Sequence, residues 1–157
     1  MIIKRTVTVD RPIDSVFAYL SDFTTTTEWD PGTITTIRTS GNGGIGTTYR
    51  NTSRFAGRTT ELTYVVTDRT PPHRIGLRGE NATVVAEDSM DLHEPSPGTT
   101  QVTYTARFTF RGLARLAGPL LAPALRRLGD EAQEGLRRSL QSLPPAAGGP
   151  SSPSDRV

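Results

Sequence analysis

GLARLAGPLLAPALRRLGDEAQEGLRRSLQSL, residues Gly112 to Leu143, is the one long segment of the chain with helical periodicity. From Leu121, apolar side chains recur at Leu125, Leu128, Ala132, Leu136, Leu140 and Leu143, steps of three and four that fall on one side of a helix turning about 100° per residue. Arg126, Asp130, Gln133, Arg137 and Gln141 take the opposite side. Each leucine buried from the stripe contributes ~1.5 to 3 kcal/mol, so together they rival the ~5 to 15 kcal/mol net stability of a whole domain. A stripe of that size needs an apolar sheet to cover.

The segment just before it supplies the clearest strand. Thr100 to Arg111 puts Val102, Tyr104, Ala106, Phe108 and Phe110 on one face and Thr103, Thr105, Arg107, Thr109 and Arg111 on the other, the mark of an antiparallel sheet with one wet side. Further back, strands are expected over Ile3 to Val9, Thr33 to Ser40, Gly46 to Arg54, Arg58 to Arg69, His73 to Gly79 and Asn81 to His93. After the first of these, Asp10-Arg11-Pro12 opens a short helix with Pro12 in its first turn and Ile13, Val16, Phe17 and Leu20 on one face. A second short helix, capped by Ser21-Asp22, runs to Trp29, and Asp30-Pro31-Gly32 is a turn. The fold class is therefore α+β: a curved seven-stranded antiparallel sheet, two short helices after its first strand, and a long C-terminal helix across it. Residues 1–143 form one domain, and the Pro, Gly and Ser-rich segment 144–157 is expected to be a disordered tail.

Composition narrows the function. The net charge of +2 over 157 residues does not point to nucleic acid, and with Lys4 the only lysine the basicity is arginine-borne. The chain has no cysteine, hence no disulfide and no thiolate nucleophile. Met1 leads into a strand pattern and not an apolar leader, so a cytoplasmic protein is expected. The longest uncharged run of the terminal helix, Leu116 to Leu125, holds two prolines and is too short for stable membrane insertion.

Few residues offer chemistry. Gly41 to Gly46 matches G-x-G-x-x-G but leads into a strand, which makes it a hairpin loop and not a phosphate loop. His73 and His93 lack metal-ligand spacing, and no metal or other cofactor is expected. Ser89, Asp91 and His93 share one strand face but stand parallel, as an outer solvated face and not a relay. On the inward faces lie Tyr49, Tyr64 and Tyr104 with Asn51, Ser53 and Asp88. Two readings stay open for the tyrosines: core packing with each hydroxyl on the backbone, or the wall of a ligand cavity. Asp88 is the one carboxylate on an apolar strand face; if unpaired, burial favours its neutral acid form.

The order of elements resembles a known family, carried by VTVDRPIDSVFAYLSD, the TEWDPG turn, the GNGGIGTTYR hairpin, VVTDRTPPHRI and PGTTQVTY. These are similar to the polyketide cyclase/dehydrase branch of the START-like, or SRPBCC, superfamily, over about residues 1–143. The resemblance implies a helix-grip fold with a cavity between sheet and terminal helix for a hydrophobic small molecule. Two functions follow from different classes. One is binding of a lipid-like or polyketide-like molecule unchanged; the other is a cyclase or dehydratase reaction with Asp88 and Tyr64 as tentative proton-transfer groups. A third reading makes the helix, with six arginines against three acids from Arg111 to Arg138, a surface for a protein or a membrane. The oligomeric state is left open.

The ligand-contacting set expected from this reading is Trp29, Tyr49, Tyr64, Asp88, Met90, Tyr104, Phe108, Leu128, Ala132, Gly135 and Ser139. Within the helix, Leu121, Leu125 and Leu128 are expected to seal one end, while the small side chains Ala132, Gly135 and Ser139 leave a hollow that forms the cavity wall. On that reading Gly135→Leu or Ser139→Leu blocks ligand binding and leaves the fold intact.

Overall fold

A computed structural model describes residues 1–146. The chain folds as β1 (Ile2–Val9), α1 (Ile13–Ser21), a 3-10 turn (Phe23–Thr25) and α2 (Thr26–Trp29). Then come β2 (Thr33–Ser40), β3 (Thr48–Phe55), β4 (Arg58–Thr70), β5 (Arg74–Glu80), β6 (Val84–Ser96), β7 (Thr99–Phe110) and α3 (Ala114–Gln141). The strands form one antiparallel sheet in the order β1-β7-β6-β5-β4-β3-β2, so every neighbour is a hairpin partner except β1, which closes against β7. This is the curved sheet around a terminal helix expected from the sequence. The expected disordered tail falls, from residue 147 on, outside the described residues.

Alternation decides which side is the core. Val84, Ala86, Asp88, Met90 and Leu92 of β6 all turn inward and are buried, while Asp91 and His93 turn outward. Asp91 accepts from Arg74 at 2.5 Å on the wet face. Arg74 also pairs with Asp68, so Asp91 belongs to a surface ion network. The β2–β3 loop carries Gly41 and Gly43 at φ 85° and 101° and runs from strand to strand, with no helix N-terminus for a phosphate to meet.

The short helices differ from expectation in their caps. Pro12 is the N-cap of α1 and not its first helical residue, with extended ψ of 141°, because its ring suits either place. Asp22 caps the 3-10 turn by accepting from the Thr24 backbone N–H at 3.1 Å and from the Thr24 hydroxyl at 2.6 Å. Helix α3 continues through Pro119 and Pro123, both exposed. Arg11 closes the far end of α3, donating to Leu143 O at 2.6 Å and to Gln141 O.

Packing along α3 is uneven. In its C-terminal half Gly129, Ala132, Gly135, Leu136 and Leu140 are buried, and a Cβ on Gly129 would stand 2.5 Å from Ile3 Cγ2. In the N-terminal half only Leu125 is buried, and Leu121 and Leu128 are half-exposed. The helix is therefore held tightly at one end and stands away from the sheet at the other.

The β3–β4 hairpin turns on Ala56 and Gly57, at φ 50° and 76°, between the paired residues Phe55 and Arg58. A two-residue loop with both φ positive suits Asn-Gly and strains alanine. Replacing Ala56 by glycine is expected to raise thermal stability, by about 1 kcal/mol for relief of the left-handed conformation. An unchanged melting curve would show that the hairpin is held in another way.

Candidate functional site

Where α3 stands off, a cavity of about 600 Å³ opens between the helix and strands β3, β4, β6 and β7. Its apolar wall comes from Phe23, Trp29, Phe55, Leu62, Phe108, Phe110, Leu121, Leu125 and Leu128, and the exposed residues Ala56, Arg58 and Thr83 stand at its rim. Curvature brings this about: the inward residues of β7 and β3 face each other across a gap that the helix does not fill. The volume suits a small organic molecule, since ligand pockets run to roughly 300 to 1,000 Å³.

The polar groups of the wall form two sets. The first is fully satisfied: Asn51 Nδ2 donates to Thr36 Oγ1 at 2.8 Å and Thr33 Oγ1 at 3.1 Å, its Oδ1 accepts from Ser53 at 2.5 Å, and Thr36 Oγ1 shares a 2.7 Å bond with Thr26. Such a network fixes β2, β3 and α2 in register and leaves little capacity for a ligand.

The second set is titratable. Asp88, only 6% exposed on β6, accepts from the Tyr104 hydroxyl at 3.1 Å. Burial pushes its carboxyl up to about 6, although contacts from the Tyr64 and Tyr104 phenols pull the other way. Both phenols are in turn raised well above their usual range, first by burial and then by the Asp88 charge. Tyr64 lies flat against Gly79, its cross-strand partner, where a Cβ would meet the ring at 2.5 to 2.7 Å. Only glycine lets this phenol reach toward Asp88.

Among the lining residues outside the expected set, Asp30 is the acid. Its carboxylate accepts from Gly32 N at 3.0 Å and from Thr33 Oγ1 at 2.9 Å, and burial raises its pKa against those two bonds. Aspartate before Pro-Gly reads as a turn former, which this one is; that it also faces a cavity follows from α2 and α3 meeting behind it. Trp29 packs edge-on against Tyr104, with ring centroids 5.8 Å apart. Its indole N–H is buried with no acceptor among the described residues. An orphaned buried donor costs ~1 to 3 kcal/mol.

Of the expected set, Trp29, Tyr64, Asp88, Tyr104, Phe108 and Leu128 line this cavity. Ala132 instead lines a neighbouring void of about 30 Å³ with Ile3 and Gly129, room for little more than a water molecule. Four expectations are corrected. Tyr49, fully buried, is core: it meets Phe23 edge-on at 5.5 Å, with its hydroxyl against the Phe23 backbone. Met90 packs in the same core cluster. Gly135 is pressed on α2, because a Cβ there would overlap the Trp29 carbonyl oxygen. Ser139, one turn further along, faces Tyr19 and not the cavity. The hollow and the seal have thus changed places: the small residues mark close contact, and Leu121, Leu125 and Leu128 line the open end.

A family model described as polyketide cyclase/dehydrase and lipid transport matches residues 2–141. The chain belongs to this family. Solved structures share its fold at low identity. The Zhui aromatase/cyclase from Streptomyces sp. R1128 is 18% identical with a TM-score of 0.78, over 90% of this chain and 93% of that one. A START superfamily protein from Mycobacterium smegmatis is 17% identical with a TM-score of 0.69, over 89% and 94%. The di-domain ARO/CYC BexL from the BE-7585A biosynthetic pathway, 17% identical with a TM-score of 0.66, is matched over 51% of its length by 92% of this chain. No curated protein matches the chain in sequence. No described helix is long and apolar enough to cross a membrane.

Proposed function

We propose that the protein binds a hydrophobic or aromatic small molecule, of lipid or polyketide type, in the cavity under the N-terminal half of α3. The observation that carries this is the 600 Å³ space walled by aromatic and leucine side chains, with the carboxyl of Asp88 and the phenols of Tyr64 and Tyr104 in its wall. An apolar ligand is held by exclusion from water. The polar groups open to a ligand carbonyl or phenolic oxygen are those of the wall that Asp30 and Asp88 line.

A cyclase or dehydratase reaction is the second reading, favoured by Asp88 alone. A carboxyl held at about 6 beside two phenols is placed to pass a proton to and from a bound chain, with the cavity supplying the folding of that chain. Asp88→Asn and Tyr64→Phe separate the two readings: loss of turnover with retained affinity supports the reaction, and unchanged product formation removes it.

The binding reading is tested with 1-anilinonaphthalene-8-sulfonate. Trp29 is the sole tryptophan and lines the cavity, so energy transfer from it to the bound dye is expected, at saturation with one dye per chain. Ala117→Phe puts a ring into the cavity from α3 and is expected to weaken dye binding tenfold or more, about 1.4 kcal/mol, with an unchanged melting temperature. Equal binding by the variant would place the dye elsewhere and remove the reading.

A further inference from the structure

The first turns of α3 carry an apolar ridge that the cavity does not use. Leu113, Leu116 and Leu120 are 86%, 77% and 82% exposed, the three most exposed large hydrophobic side chains of the described residues. Steps of three and four place them on one face of the helix. The cavity-lining residues of the same segment, Ala114, Ala117 and Leu121, lie roughly 100° further round at 3.6 residues per turn. The ridge therefore runs beside the cavity, along one bank of its mouth.

Charge on the two banks of the mouth is positive. The opposite bank is the β3–β4 hairpin, which contributes Phe55, Ala56, Arg58 and Thr60 to the cavity. From Pro31 to Thr60 and from Pro95 to Gly129 the chain holds no aspartate or glutamate. Arg58 on one bank and Arg115 on the other are exposed and take part in no ion pair among the described residues. Arg111 is held by Glu80 at 2.8 Å. Three long apolar side chains flanked by unpaired arginines, with no acid between them, are the composition of a surface that lies in the interface of an anionic bilayer.

From this we propose that the cavity mouth docks on an anionic phospholipid surface, with Leu113, Leu116 and Leu120 in the acyl boundary and Arg58 and Arg115 at the headgroups, so that a hydrophobic ligand passes between bilayer and cavity without crossing water. The proposal takes its purpose from the reading of the cavity as a hydrophobic-ligand site and adds the partner from which that ligand comes. An acidic protein would meet the arginines but gives no use to three solvated leucines in a row. A second copy of the chain would bury the leucines and bring the arginines against their own like.

The test is flotation of the full chain with vesicles of phosphatidylcholine and phosphatidylglycerol in equal parts, against phosphatidylcholine alone. Binding is expected only to the anionic vesicles and is expected to weaken with salt. Leu116→Ser with Leu120→Ser, both at sites largely in water, is expected to keep the wild-type melt and lose about a hundred-fold in partitioning. Arg58→Gln and Arg115→Gln are each expected to lose about five-fold and to flatten the salt dependence. Ala117→Phe, which closes the cavity, is expected to float as wild type does, so failure of docking and failure of ligand binding are seen separately. No flotation with anionic vesicles at low salt, or equal flotation by the double-serine variant, overturns the proposal. So does a wild-type dimer that the serine changes convert to monomer. Binding to polyglutamate that displaces vesicles and ignores the leucine changes assigns the face to an acidic protein and likewise overturns it.

Discussion

Gly135→Ala is expected to destabilise the protein by about 3 kcal/mol or more, at the upper end of overpacking effects. Helix propensity alone predicts the reverse sign, because alanine is favoured over glycine inside a helix by about 1 kcal/mol. The reversal comes from one contact. A Cβ at Gly135 would coincide with the carbonyl oxygen of Trp29 and lie 2.9 Å from its carbonyl carbon, and a backbone carbonyl cannot swing aside as a flexible side chain does. Relief requires α3 to lift from α2. That movement would open the buried layer of Leu136 and Leu140 and the turn around Asp30. At about 2 to 4 °C per kcal/mol for a chain of this size, the melting temperature should fall by roughly 10 °C. Gly135→Leu is expected not to fold at all, against the expectation that it would only block a cavity. An alanine variant melting at or above wild type would show that α2 and α3 are not in this contact.

The same residue shows where sequence reading stops. The leucine stripe of α3 and the alternation of β7 were legible because each depends on one element and one face: Val102, Tyr104 and Ala106 point inward whatever lies opposite them. A cavity depends instead on the distance between two elements. Gly135 reads as small whether it faces a void or touches a backbone, and both situations favour glycine. What settles the matter is α2, a single turn whose position at Trp29 depends on the Asp22 cap and the bonds among Thr26, Thr36 and Asn51. With the C-terminal half of α3 clamped there and on Ile3 at Gly129, the helix leaves the curved sheet toward its N-terminus. The space opens beneath Leu121, Leu125 and Leu128, so leucines that read as core became the wall of the cavity. Asp30 escaped notice for a related reason. Its role as a turn former is local and visible, whereas its place beside the cavity is set by helices that meet from distant parts of the chain.

Asp88, by contrast, could be found from its own strand, and its burial has a measurable consequence for stability. Its folded pKa is raised to about 6 by burial, above the ordinary carboxylate value of about 3.9 in an unfolded chain. Below about pH 4 the group is neutral in both states, and its contribution to stability is complete. As pH rises through about 6 the unfolded chain is already ionised, while the folded one must put a charge into an apolar wall, so stability is lost across that interval and levels off near pH 7. The two-unit shift corresponds to a loss on the order of 2 to 3 kcal/mol. Asparagine keeps the shape and still accepts from the Tyr104 hydroxyl but cannot ionise. Asp88→Asn is therefore expected to match wild type near pH 4 and to exceed it by that amount at pH 7, in melting curves taken across the range. The Tyr64 and Tyr104 phenols soften the ionised state in the wild type, which is why the shift stops near 6. If the two proteins keep a constant difference from pH 4 to pH 7, Asp88 does not titrate in the cavity, and its proton is not available to a bound molecule.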